Sequence, residues 1–140
     1  LKETIEPDVK KPSAHAIMGA VLRALAIHPQ CRSRGETLRA GSLLAERLFA
    51  SDKYADRRHR NFWTRFAFPF VYTDIISALD SLSLLGVSVD HPKIQEALFW
   101  FESHQASNGM INTIRNPSGK GDMQLWLQLA ICRNYQRFWT

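Results

Sequence analysis

RNFWTRFAFPFVYTDIISALDSLSLLG, residues 60–86, sets six aromatic side chains into the eleven residues 62–72 and then runs into a regular apolar repeat. Ile75, Ile76, Leu79, Leu82 and Leu85 recur at three- and four-residue steps, the spacing that gathers side chains on one helix face. The pattern predicts a helix from about Thr73 to Gly86. Ahead of it, FAFPFVY is too uniformly apolar for a half-wet strand, and Pro69 cannot donate to a sheet ladder, so this segment reads as a connector. Two roles are open to Phe62, Trp63, Phe66, Phe68, Phe70 and Tyr72. They line a ligand cavity, or they form the hydrophobic wedge between two helical layers.

The flanking segments are helical too. Ser13 is placed to cap a first helix reaching about His28, with Ile17, Val21, Ala24 and Leu25 as its apolar side and Met18 and Leu22 widening the stripe. Pro29 ends that pattern. A second helix fits Gly35 to Phe49 through Leu38, Gly41, Leu44, Ala45 and Leu48, where the bare Gly41 admits a close neighbour. After residue 86, Asp90 is the expected cap of a helix with Pro92 in its first turn and Ile94, Ala97, Leu98 and Phe101 facing inward. NTIRNPSGKG then reads as a long turn. Asp122 is expected to cap a last helix whose Leu125, Leu129 and Cys132 share a face with Gln136, with Trp126 at its border.

Five helices and no convincing strand predict an all-α fold. Each apolar stripe needs a neighbour, which favours antiparallel helix pairs over isolated rods. Residues 1–12, with mixed charge and two prolines, read as an irregular lead-in, and 13–140 as one all-helical domain. With 45% hydrophobic and 22% charged residues the chain has the composition of a folded protein rather than a disordered one. At this length it can bury about two thirds of its extended surface.

Charge and cysteine content narrow the partners. The formal charge is +5, and twelve of the 18 Lys and Arg precede residue 61. Arg57, Arg58, His59 and Arg60 form a basic group that suits an anionic partner, yet no aromatic interleaving or helix-turn-helix pattern accompanies it, which argues against nucleic acid. No apolar run reaches the roughly 18 residues of a transmembrane helix, and KETIEPDVKK lacks the apolar centre of a secretory signal, so the cytoplasm is the expected compartment. Cys31 and Cys132 are expected to be reduced thiols.

Residues 60–110 resemble the helical toroid domains of the prenyltransferase and terpene-cyclase superfamily. The resemblance rests on the aromatic, proline-bearing connector leading into a helix, and on Ala97, Leu98, Trp100, Phe101, Gln105 and Gly109, which follow that superfamily's Ala-Leu-x-Trp-Leu and Gln-x-x-x-Gly pattern. It extends weakly over 13–50 and 122–137. It implies that the helix pairs form part of an α/α toroid, as a portion or shortened relative of a larger assembly. Met110 stands where triterpene cyclases carry a tryptophan after the glycine, and no DxDD acid motif is present.

The resemblance also sets out what an enzymatic reading requires. Isoprenoid cyclisation needs an acid to protonate a double bond and aromatic faces to stabilise the cations that follow. Asp74 is the candidate acid; the six connector aromatics and Trp100 are the candidate ligand contacts. Arg115 and Lys120, in a glycine-bearing turn, are the candidate diphosphate contacts. Asp74 and Asp80 lie about 240° apart on an ideal helix and form no same-face pair, and Asp80 is expected in water. No zinc set is legible: His28 and Cys31 straddle Pro29, and His91 and Cys132 are distant in sequence. Neither a metal nor a cofactor is expected. Ser103 beside His104 carries no nucleophile signature. The leading expectation is therefore a noncatalytic scaffold whose partner is another helical domain or subunit. An isoprenoid-binding enzyme fragment and a basic partner-binding module are the alternatives.

Overall fold

A computed structural model describes residues 14–66, 72–112 and 121–140. Among them the chain is all-α: α1 (His15–Ile27), α2 (Pro29–Arg32), α3 (Gly35–Glu46), α4 (Ile75–Leu84), α5 (Pro92–Ser103) and α6 (Gly121–Trp139), with 3₁₀ turns at Ala55–Arg57 and Arg60–Thr64. Gln105 and Ile111 form an isolated antiparallel β-bridge.

Helix α4 is the centre. Ile75 through Leu79, with Ser81 and Leu82, are all buried, so neighbours cover it on every side. Helices α1 and α6 each pack along it and α3 lies against both α1 and α4, while α2 meets α1 and α3, and α5 meets α3. Both ends of α4 are closed by short-range chemistry. At its start the Asp74 carboxylate accepts from the Ser77 N–H at 2.8 Å while Ser77 Oγ accepts from the Asp74 N–H at 3.1 Å, a reciprocal capping box. At its end Gly86 takes the left-handed conformation (φ 71°). The Gly86 and Val87 N–H groups there return to the carbonyls of Ser83 and Leu82, a Schellman closure.

Helix α1 starts differently from the sequence expectation. Its N-cap is Ala14, which has no side chain to offer, and Ser13 lies outside the described residues. The cap group comes from 37 residues away: buried Asp52 accepts the His15 N–H at 2.7 Å and the Tyr54 N–H at 2.9 Å. The buried face also differs. Leu22 is buried and Met18 packs against the core as expected, but His15, Gly19 and Ala26 complete the inward face, while Ile17 and Val21 are 59% and 55% exposed. The reason is steric. Gly19 is the only position on α1 bare enough to meet Thr73, whose hydroxyl donates to the Ala16 carbonyl at 3.1 Å, and that contact fixes the helix rotation. Pro29 breaks α1 as expected, but a further single turn, α2, follows it.

Three smaller differences concern ends and caps. Helix α3 ends at Glu46 rather than Phe49; Phe49 adopts a left-handed backbone (φ 63°) beneath the Arg60 guanidinium, 4.3 Å from its ring centroid. Thr37 replaces Leu38 on the buried face of α3, while Gly41 behaves as expected: a Cβ there would stand 2.8 Å from Leu85. Helix α5 is capped by the His91 ring, which accepts from the Lys93 N–H at 3.2 Å, rather than by Asp90. Its buried face is the expected Ile94, Ala97, Leu98 and Phe101.

Helix α6 carries the largest correction. The expected row is outside, with Leu125 and Leu129 at 62% and 58% exposed and Cys132 exposed too. Leu127, Ala130, Ile131 and Asn134 are buried instead. Polar bonds that hydropathy does not weigh set this rotation. Asn134 Nδ2 donates to the Ile76 carbonyl at 2.9 Å inside the core. Arg133 and Arg137 both reach Asp80 at 2.7 Å, so Asp80 is ion-paired rather than free in water.

Candidate functional site

The described connector aromatics separate into two groups. Trp63 and Phe66 are core residues. Trp63 donates its indole N–H to the Ala50 carbonyl at 2.9 Å and lies 4.9 Å from the His15 ring, tying the connector to the start of α1. Phe66 meets Trp100 edge-on at 5.5 Å and Phe101 at 6.2 Å, tying it to α5. Phe62 and Tyr72 form a separate edge-to-face pair at 5.8 Å, with Tyr72 exposed. Phe68, Phe70, Arg115 and Lys120 lie outside the described residues.

Asp74 is fully buried, and that burial pushes its carboxyl up to about 7 from an ordinary 3.8, against the Ser77 hydrogen bonds and the positive charge of Arg23, which pull it down. Such an acid holds its proton near neutrality, as a general acid must. Its Oδ1, however, is engaged in capping α4, where it accepts from the Ser77 N–H.

Ser103 Oγ stands 3.0 Å from His104 Nδ1, which invites comparison with a nucleophile and its base. The Trp100 carbonyl rules that out. It lies 2.7 Å from the same His104 nitrogen and 2.8 Å from Ser103 Oγ, so Nδ1 carries a hydrogen and donates, and it has no lone pair to take the serine proton. The His104 ring stacks on Trp100 at 3.9 Å, and the group closes the end of α5. His91 pairs with Glu46 at 3.2 Å, and among the described residues no group of three or more His, Cys, Asp or Glu comes together.

The turn after α5 was legible in part. Gly109 is left-handed (φ 82°), and Gln105 Nε2 donates to its carbonyl at 2.9 Å. The sequence reading missed Gln128. Its amide clasps Ile111 from both sides, accepting from the Ile111 N–H at 3.0 Å and donating to its carbonyl at 2.9 Å, where Gln124 adds a bond at 3.0 Å. A glutamine on a helix thus serves a buried residue as a strand would. Gln128→Met should cost about 1–2 kcal/mol by leaving the Ile111 N–H buried without a partner. It should also accelerate hydrogen exchange at that amide, and unchanged protection there would refute the clasp.

Beside this clasp lies a cleft of about 450 Å³ between the α5 turn and α6, with Ile111, Ile131 and Tyr135 as its apolar floor and Glu102 and Cys132 among its walls. Tyr135 donates to the Leu98 carbonyl at 3.0 Å. Burial, and secondarily the charge of Glu102, push its phenol up to about 12, so it stays a neutral donor.

The basic connector is less free than its sequence suggests. Arg57 is bridged to Asp56 and Arg60 to Glu96, while Lys53 and Arg57 lie over the Tyr54 ring at 5.0 and 5.3 Å. No helix among the described residues is long and apolar enough to cross a membrane. No family model, curated protein or solved structure matches the chain.

Proposed function

We propose that this chain is a noncatalytic interaction module, built from antiparallel helix pairs of the α/α toroid type, that docks a helical domain or subunit against its outer faces. The observation carrying this reading is that α1 and α6 are apolar on two sides. One side of each packs on α4, and the other presents Ile17 and Val21 on α1, and Leu125 and Leu129 on α6, to solvent. A helix at the outside of a finished domain carries polar residues on its outer face. Two apolar outer rows fit helices designed to lie between layers, as in a helical array continued by a neighbour. Covering such a side chain contributes about 1.5–3 kcal/mol when it is fully exposed beforehand, so four side chains at half to two-thirds exposure supply several kcal/mol toward association. The placement of Trp63 and Phe66 in the core and of Asp74 in a helix cap supports this reading over an isoprenoid-processing one.

The test is a paired substitution, Val21→Glu and Leu129→Glu. Both positions are exposed, so folding stability should change by no more than about 0.5 kcal/mol. Binding of a hydrophobic dye, and concentration-dependent association in sedimentation velocity, should both fall. Unfolding by the substitutions would place these rows in the core, and a wild-type chain that binds no dye and never associates would remove the docking surface.

A further inference from the structure

We infer that the cleft between the α5 turn and α6 binds a small organic cation, an ammonium group on a short apolar body, with the cation against Glu102 and the body over Ile111, Ile131 and Tyr135. The size is right, since about 450 Å³ lies within the roughly 300–1,000 Å³ of small-molecule sites. The chemistry follows from which polar groups are already engaged. The Gln128 amide is bonded to Ile111 at both ends, Gln105 Nε2 to the Gly109 carbonyl and the Tyr135 hydroxyl to the Leu98 carbonyl, which leaves the floor effectively apolar.

Glu102 is the one acidic or basic side chain among the described lining residues, and it forms no ion pair among the described residues. Glu102 and Tyr135 line the same cleft, which puts the carboxylate beside the floor, and its charge adds to the rise of the Tyr135 phenol. The cations of the adjoining α6 turn, Arg133 and Arg137, are drawn away to Asp80. Among the described residues, the cleft of this chain of formal charge +5 is thus lined by one charged side chain, and that one is anionic. An anionic ligand is repelled there, a neutral one gains the floor alone, and an amine gains the floor and the carboxylate.

Cys132 lines the cleft and Cys31, on α2, does not, so the two thiols supply a reporter and an internal control. Methyl methanethiosulfonate, a neutral thiol reagent, is applied at neutral pH with about 10 mM hexylamine, hexanol or hexanoate, a concentration suited to the weak affinities of ligands this small. Each cysteine is then followed by peptide mass spectrometry. Hexylamine should slow modification of Cys132 at least about threefold and leave Cys31 unchanged, with hexanol weaker and hexanoate weakest, the modest spacing expected of an exposed ion pair. Glu102→Gln, at an exposed position that leaves the fold intact by circular dichroism, should bring hexylamine down to the level of hexanol. No slowing at Cys132, equal slowing of both cysteines, hexanoate matching hexylamine, or a Glu102→Gln chain that still prefers the amine would each overturn the inference. Cys132 shares the exposed row of α6 with Leu125 and Leu129, so the assay is run at a concentration at which the chain is monomeric in sedimentation velocity; self-association then leaves the thiol uncovered and the two readings fail separately.

Discussion

Asp74→Asn should stabilise the protein at pH 8 by about 2–4 kcal/mol and flatten its stability between about pH 4 and pH 7. The cause is burial, which raises the carboxyl from 3.8 to about 7 in the folded chain. For an acid with a raised folded-state pKa, the native state holds the proton more tightly than the unfolded chain. Asp74 therefore contributes most below about pH 4. That contribution is lost as pH rises through about 7, and above it the full penalty of a buried charge remains. A shift from 3.8 to about 7 corresponds to about 4 kcal/mol at full ionisation. Asparagine is among the best helix caps and keeps an acceptor for the Ser77 N–H, so it removes the charge without removing the cap. Alanine removes both, and at pH 4, where the aspartate is protonated, Asp74→Ala should cost about 1 kcal/mol. Denaturant unfolding of wild type and Asp74→Asn across this range is the measurement. His15, whose imidazole is held below its ordinary value chiefly by burial, titrates in both proteins and cancels in the difference. An Asp74→Asn variant that is less stable at pH 8 would mean that the ionised carboxylate is net favourable in its cap.

Gly19→Ala should destabilise the fold by about 2–3 kcal/mol, although alanine is the better helix former by about 1 kcal/mol. A Cβ at Gly19 would stand 2.2 Å from Thr73 Oγ1, 2.3 Å from its Cγ2 and 2.8 Å from its Cβ. Thr73 is buried, β-branched and bonded to the Ala16 carbonyl, so it has little freedom to withdraw. The clash therefore outweighs the propensity gain, and α1 must lift away from α4. Thr73→Gly in the same chain removes all three obstructing atoms. It should recover part of the loss, giving a coupling energy of about 1 kcal/mol or more in a double-mutant cycle. Unchanged or raised stability for Gly19→Ala alone would show that α1 does not approach α4 this closely.

These two positions mark where sequence reading succeeds and fails. The apolar rows of α4 and α5 were legible because their residues repeat about once per turn, although α4 also buries Ser77, Ala78 and Ser81, outside its row. Gly41 and Gly109 were legible for the same kind of reason, one interrupting a clear helical row and the other following a helix end. On α1 and α6 the pattern is ambiguous. Each has two apolar rows, and hydropathy favours the one richer in large aliphatics, Ile17 and Val21 or Leu125 and Leu129. The chain buries the other because it contains the residues that make specific contacts: Gly19 meets Thr73, and Asn134 bonds the Ile76 carbonyl. Gln128 and Asp52 were invisible for a related reason, since their partners, Ile111 and His15, lie 17 and 37 residues away.

The sequence by itself determined the helical class, the approximate extents of the long helices, the apolar rows of α4 and α5, and the turns at Gly86 and Gly109. All of these follow from periodicity and backbone preference over a few residues. Tertiary structure alone decided which side of α1 and of α6 is buried, who caps α1, what Asp80 and Gln128 bind, and how far the Asp74 carboxyl is shifted. Each of those depends on atoms brought together from distant parts of the chain, and a steric fit or a buried hydrogen bond outweighs the small difference in hydrophobicity between two competing helix faces.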